Sequence, residues 1–293
     1  MNMIATLFSE HRLSPKGGFQ GKGILSNGHA WPFRRRKRLE TSHIASQKRE
    51  VSGEAATLLM VRHMLIGILQ TGRVPRELEE KHGQYPVMFA RLFDGHGFTF
   101  RTYMAIDGVF PGSVRECEGW LITGSAHGAY DDLPWIPTLE QFIRDAYQAN
   151  VPIAGICFGH QIMAQALGGK VEKFTGGWGA GHMRYRMADG TEYGLNAMHQ
   201  DQVTVRPVDA QVICTSEFCE NAGLAYKGAA ISFQPHPEFD DQFMDDLLAL
   251  RAGKSMSFER AAAARESLGQ ETDSRTIAGE LAKFFRESVQ VAA

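Results

Sequence analysis

The chain has 293 residues, enough for one large domain or two small ones, and its 43% hydrophobic content is ample for a buried core. A formal net charge of -2 at pH 7 offers no overall electrostatic case for a nucleic acid or an anionic membrane surface as partner. No apolar run approaches a membrane span, no secretory core opens the chain, the four cysteines form no C-x-x-C pair and the 11 histidines are not spaced as metal ligands, so the expectation is a cytoplasmic protein with free thiols, no metal and no cofactor.

Residues 1–63 are Gly- and Ser-rich, lack periodic apolar positions and carry the basic run Arg34-Arg35-Arg36-Lys37-Arg38. They read as a disordered basic extension. A run of this kind also fits a nucleic-acid or targeting patch, or an Arg-rich transit peptide. The plainer reading is a dispensable leader, with Met60 or Met64 as the functional start. It is favoured because the first strand pattern begins at Met64. Residues 64–293 then form one domain.

From Met64 the pattern is that of an α/β protein. Leu65-Ile66-Gly67-Ile68-Leu69 reads as a buried strand broken at Gly72 and Pro75, and a helix follows. Pro86 opens a second helical stretch that closes at Gly95 and Gly97. Phe98 to Met104 and Gly119 to Ile122 read as strands, and helices between strands imply parallel crossovers. The latter strand runs into Thr123-Gly124-Ser125-Ala126-His127-Gly128-Ala129-Tyr130, a loop of small residues placed at the carboxyl edge, where open α/β sheets bind ligands. Pro137 to Asn150 has helical spacing.

Val151-Pro152-Ile153-Ala154 then leads into Gly155-Ile156-Cys157-Phe158-Gly159-His160-Gln161, which has the shape of a nucleophile elbow. Glycines two positions before and after the cysteine keep side chains out of a sharp strand-to-helix bend. The helix starting there aims its unpaired N–H groups at the sulfur and favours the thiolate. An inert cysteine at the end of a core strand is the alternative reading.

After this helix, which ends at Gly168-Gly169, comes a β-rich stretch with strands at Lys170–Phe174, His182–Met187, Gln202–Val205, Gln211–Thr215, Leu224–Lys227 and Ala229–Gln234. The last runs into Gln234-Pro235-His236-Pro237-Glu238. Two prolines stiffen the backbone around the imidazole, and a glutamate two residues on is available to accept its other ring N–H. Beyond Leu250, Ser257 to Val291 reads as two helices, one Ala-rich and one amphipathic through Ile277, Leu281, Phe284, Phe285 and Val289, packing on the domain or on a partner.

The loop at Thr123-Gly124-Ser125, the C-F-G-x-Q elbow and the H-P-E segment about eighty residues later together resemble the class I glutamine amidotransferases, the glutaminase domain of GMP synthase and its stand-alone relatives above all. The likeness spans Leu65 to Leu250. It implies a flavodoxin-like, open, mostly parallel sheet with flanking helices. It also implies that Cys157 is the nucleophile, His236 its base and then acid, and Glu238 the orienting carboxylate. Gly124 and Phe158 would supply oxyanion N–H groups, and Gln161, His199, Gln200 and Asp201 would lie near the α-amino and α-carboxylate ends of glutamine. Two departures leave the substrate open: Gly176-Gly177-Trp178-Gly179-Ala180-Gly181 lacks the acidic residue of many relatives, and Thr-Gly-Ser stands where many have Gly-Gly-Pro.

Nothing after Leu250 resembles a synthetase or a P-loop. The expected function is therefore hydrolysis of the γ-amide of glutamine through a cysteine thioester, alone or with a synthetase in trans that consumes the ammonia. The alternatives are a γ-glutamyl peptidase with the same triad, since thioester chemistry is indifferent to the leaving amine, and a non-catalytic regulatory module. A cysteine hydrolase of the intracellular-protease branch is disfavoured by Gln161 and the His-Pro-Glu ending.

Overall fold

Strand β1 (Met64–Leu69), buried at every position but Leu65, is the strand around which the sheet is laid. In this computed structural model, which describes residues 63–292, β1 pairs in parallel with β2 (Phe98–Tyr103) on one side and β3 (Gly119–Ile122) on the other. β4 (Ile153–Ile156) pairs in parallel with β3, and β11 (Ala230–Phe233) with β4. The order β2-β1-β3-β4-β11 is that of the flavodoxin-like open sheet. β10 (Gly223–Tyr226), β9 (Ala210–Thr215), β6 (Gly179–Met187) and β7 (Glu192–His199) extend it antiparallel to nine strands. β5 (Lys170–Lys173) and β8 (Asp201–Val205) form a separate antiparallel pair. The leader expected at the N-terminus lies outside the described residues, His63 apart.

Helices cover both faces because the central strands are apolar on both. α1 (Arg76–His82) and α2 (Tyr85–Leu92) follow β1, with Pro86 in the first turn of α2 as expected. α3 (Trp135–Gln148) packs its Leu139, Phe142 and Ile143 against Trp120 and Ile153. It begins two residues before Pro137, and Asn150, at φ 53°, supplies the left-handed stop. α4 (Phe158–Ala166) follows β4 directly.

The C-terminal helices were expected to pack on the domain or a partner. α7 (Ser274–Ala292) packs on the domain, its Ile277, Leu281 and Phe285 lying fully buried against Met64, Ile66 and Ile68. A side chain at Gly119 would meet the Phe285 ring at 2.8 Å, so glycine there lets the helix approach the sheet. α5 (Asp241–Arg251) and α6 (Phe258–Glu266) gather Phe243, Met244, Leu248 and Ala264 into a smaller core with Tyr85 and Phe239.

Neither α5 nor β7 is marked by the sequence pattern. In β7 six of eight residues are buried on both faces, including Asn196, so the polar and small residues that hide the strand in the sequence are interior ones.

Candidate active site

Cys157 stands between β4 and α4 with φ 55° and ψ -104°, one of two described non-glycine residues at positive φ. Such a conformation costs on the order of 1–3 kcal/mol and persists only where the surroundings impose it. Here they do. Its N–H donates to the Phe233 carbonyl at 2.8 Å, and its own carbonyl accepts from Gln161 at 3.1 Å. Side chains at the flanking glycines have no room: a Cβ at Gly159 would strike the Ile122 carbonyl and one at Gly155 the Gly159 carbonyl. The elbow is thus clamped between β3 and β11, with Cys157 at the N-cap of α4.

The register places the other two segments beside it. Ile122 pairs with Gly155 and Phe233 with Ile156, so the loops after β3 and β11 leave the carboxyl edge on either side of Cys157. A Cβ at Gly124 would come within 3.0 Å of the His236 imidazole and 3.8 Å of the Cys157 Cβ, so a side chain here would press on both. Thr71, after β1, braces this loop: its N–H donates to Thr123 Oγ1 at 3.0 Å and its hydroxyl to the Thr123 carbonyl at 2.9 Å.

His236 lies close enough to Cys157 for the two charges to act on each other, and its Nδ1 is hydrogen-bonded to Glu238 Oε1 at 2.7 Å. With Nδ1 directed at the carboxylate, Nε2 is the ring nitrogen left for the sulfur. Burial lowers the basicity of this imidazole, but Cys157 and Glu238 together outweigh it and raise its pKa to about 10. The ring lies flat on Phe239, centroids 3.9 Å apart and planes 5° from parallel, and Phe239 in turn stacks on Tyr85 at 6.0 Å. The His236 N–H donates to the Asn196 carbonyl, and the Asn196 amide reaches the Phe239 carbonyl at 3.0 Å, tying β7 to the same turn.

Cys157 and His236 open on a cavity of ≈ 340 Å³, within the size range of small-molecule sites. Gln161, His199, Gln200 and Asp201 line it too, so all four positions named from the sequence converge there. Their contacts differ. The Gln161 amide is already committed, donating to the Asp201 carbonyl at 2.9 Å and to Gln234 at 3.1 Å. His199 directs Nδ1 at the Asp201 carbonyl, and its buried Nε2 has no partner. Burial lowers the His199 pKa to about 4, so the ring is neutral, and its Nε2 lies enclosed against Gly179. Burial raises the pKa of Asp201, against the opposing effect of the nearby Tyr130 hydroxyl. Gln200 makes a long contact to the Phe174 carbonyl at 3.4 Å. Gly124 lies in the loop after β3 and Phe158 opens α4 directly after Cys157.

Tyr85, Phe239, Asn196 and Arg251 go unnoticed in the sequence. Phe239 had a usable signal, since an aromatic three residues after a turn-held histidine is within stacking reach. Tyr85 and Arg251 come from distant helices and had none. Trp178, in the segment that departs from the family pattern, also lines the cavity and donates its indole N–H to the Ser255 carbonyl at 2.9 Å. Among the described residues no helix is long and apolar enough to cross a membrane.

Residues 115–249 match the family model for glutamine amidotransferase class-I. Among curated proteins, γ-glutamyl peptidase 4 of Arabidopsis thaliana is 28% identical over 58% of this chain and 74% of its own length. γ-Glutamyl peptidase 3 of the same plant is 25% identical over 71% of this chain and 90% of its own length. A glutamine amidotransferase of known structure from Thermotoga maritima shares the fold with a TM-score of 0.61 and 21% identity, over 78% of this chain and 99% of that one. The matched stretch holds the elbow and the H-P-E segment, so residues 115–249 are similar to a class I glutamine amidotransferase, and the sheet that carries them has the fold of the solved neighbour.

Proposed function

We propose that this protein hydrolyses a γ-glutamyl amide bond through a thioester on Cys157. The observation that carries the reading is the arrangement at the elbow: a cysteine held at positive φ, beside an imidazole that is itself hydrogen-bonded to Glu238 at 2.7 Å, at the wall of a cavity. In this reading the Cys157 thiolate attacks the γ-carbonyl carbon. The developing oxyanion is met by the N–H groups of Gly124 and Phe158. The C–N bond then breaks, and His236 passes its proton to the departing nitrogen. Water, deprotonated by His236, cleaves the thioester and releases glutamate. Glu238 holds the ring by its Nδ1–H and stabilises the imidazolium.

Recognition of the glutamyl end falls to the far side of the cavity. The carboxylate of Asp201 suits the α-ammonium group. Gln161 acts by holding the Asp201 backbone in place, since its amide hydrogens are spent there.

Glutamine, with ammonia as the leaving group and a synthetase in trans as its consumer, is the substrate that the family match favours. A second reading, a γ-glutamyl peptide as substrate, is favoured by the two γ-glutamyl peptidases aligned over most of their length. The test is glutamate release from glutamine and from γ-glutamyl dipeptides, with mass spectrometry of the protein after a glutamine-like electrophile. Glutamate release with a single adduct on Cys157 is expected; no release from either and no adduct would overturn the reading.

A further inference from the structure

The cavity is built differently at its two ends. One end gathers Asp131, Asp201 and the Tyr130 hydroxyl, with Lys173 near Asp201. The other, beyond the His236–Phe239 stack, is formed by Tyr85, Trp178, Leu247 and Arg251. Arg251 is the last residue of α5, and its guanidinium has no hydrogen-bonded or ion-paired partner among the described residues. The nearby acids of α5 are already engaged, Asp245 by Arg265 and Asp246 by Lys81 and His82. Arg251 is close enough for its charge to act on the Tyr85 hydroxyl, which also feels Cys157 and Glu238. Among the described residues, a half-buried cation therefore stands without a counter-charge on the wall of the cavity that Cys157 and His236 also line.

We infer that Arg251 receives the α-carboxylate of an amino acid whose nitrogen is the leaving group, so that this end of the cavity selects γ-glutamyl peptides with a free C-terminus. The inference rests on the γ-glutamyl reading above and names the substrate class within it. The chemistry is consistent at each atom. The amide nitrogen leaves on the side of His236, from which it takes its proton, and whatever that nitrogen carries extends past Phe239. Tyr85, Trp178 and Leu247 offer apolar and aromatic surface to its side chain. The guanidinium fork matches a carboxylate with two parallel hydrogen bonds. Overall, water adds across one amide bond, giving glutamate and a free amino acid.

The test compares γ-glutamylglycine with γ-glutamylglycinamide, which differ only in the terminal carboxylate, in wild type, Arg251→Gln and Arg251→Lys. Wild type should prefer the free acid by about tenfold or more in kcat/KM, the discrimination typical of a charge-assisted hydrogen bond. In Arg251→Gln that ratio should collapse toward one, and Arg251→Lys should keep part of it. Circular dichroism and electrophile labelling of Cys157 check that each variant is folded. A wild-type ratio near one, or a ratio unchanged in Arg251→Gln, overturns the assignment while leaving γ-glutamyl hydrolysis standing. If no compound is hydrolysed and Cys157 is not acylated, the γ-glutamyl reading falls and this inference with it.

Discussion

The two halves of the site are held by different means. On the Cys157 side the constraint is backbone: a positive φ, hydrogen bonds to Phe233 and Gln161, and two glycines with no space for a Cβ. On the His236 side it is side-chain packing and charge: a ring stacked on Phe239, backed by Tyr85, and tied to Glu238. A backbone device is stiff and local, so its sequence signature is short. A packing device draws residues from separate helices, and it tunes an ionisation as well as a position.

Substitutions can break either half. The largest effect is expected for Cys157→Ala, which removes the atom that forms the bond: glutamate release should fall on the order of 10⁴-fold, and activity that survived would place the nucleophile elsewhere. Next is Glu238→Gln, with a loss of about 10²-fold or more as the imidazole loses its orienting carboxylate. The sign of its pH effect is fixed. Glu238 helps to raise the His236 pKa to about 10, so the imidazolium that the proposed mechanism uses as its acid persists until the pH rises through that value. Without the carboxylate the alkaline limb of the rate profile should move to lower pH; a limb left in place would assign the raised pKa to Cys157 alone.

Gly159→Ala probes the backbone half. Its Cβ would meet the Ile122 carbonyl, so the elbow must shift, and about 3 kcal/mol of stability should be lost in urea unfolding. A variant as stable as wild type would show the elbow to be less confined than its geometry indicates. The smallest effect is expected for Phe239→Leu. The stack contributes about 0.5–1.5 kcal/mol, so kcat should fall by up to about tenfold. The pH profile of this variant should keep its shape, because the Glu238 bond remains.

Much of the framework was legible in the sequence because its determinants are local. The spacing of Gly155, Cys157 and Gly159 encodes a bend that only small residues permit, and Pro235-His236-Pro237-Glu238 carries an imidazole and its carboxylate partner within one turn. The alternation of apolar runs with amphipathic helices marked the parallel crossovers. β7 was missed because Asn196 and Gly194 are interior for reasons of contact: Asn196 binds the turn after β11, and a side chain at Gly194 would strike His182. α5 was missed although its start is capped by Asp240, whose carboxylate accepts from the Phe243 N–H at 2.8 Å.

Residue order alone thus determined the bend at Cys157, the histidine with its carboxylate, and the strand-helix alternation, since each depends on neighbours a few positions away. Only the tertiary structure decided what surrounds them. The pairing of β3, β4 and β11 brings Gly124, Cys157 and His236 to one edge, and packing of α2 and α5 sets Tyr85 and Arg251 at the mouth of the same cavity. Those are contacts between segments separated by scores of residues, and no local pattern encodes them.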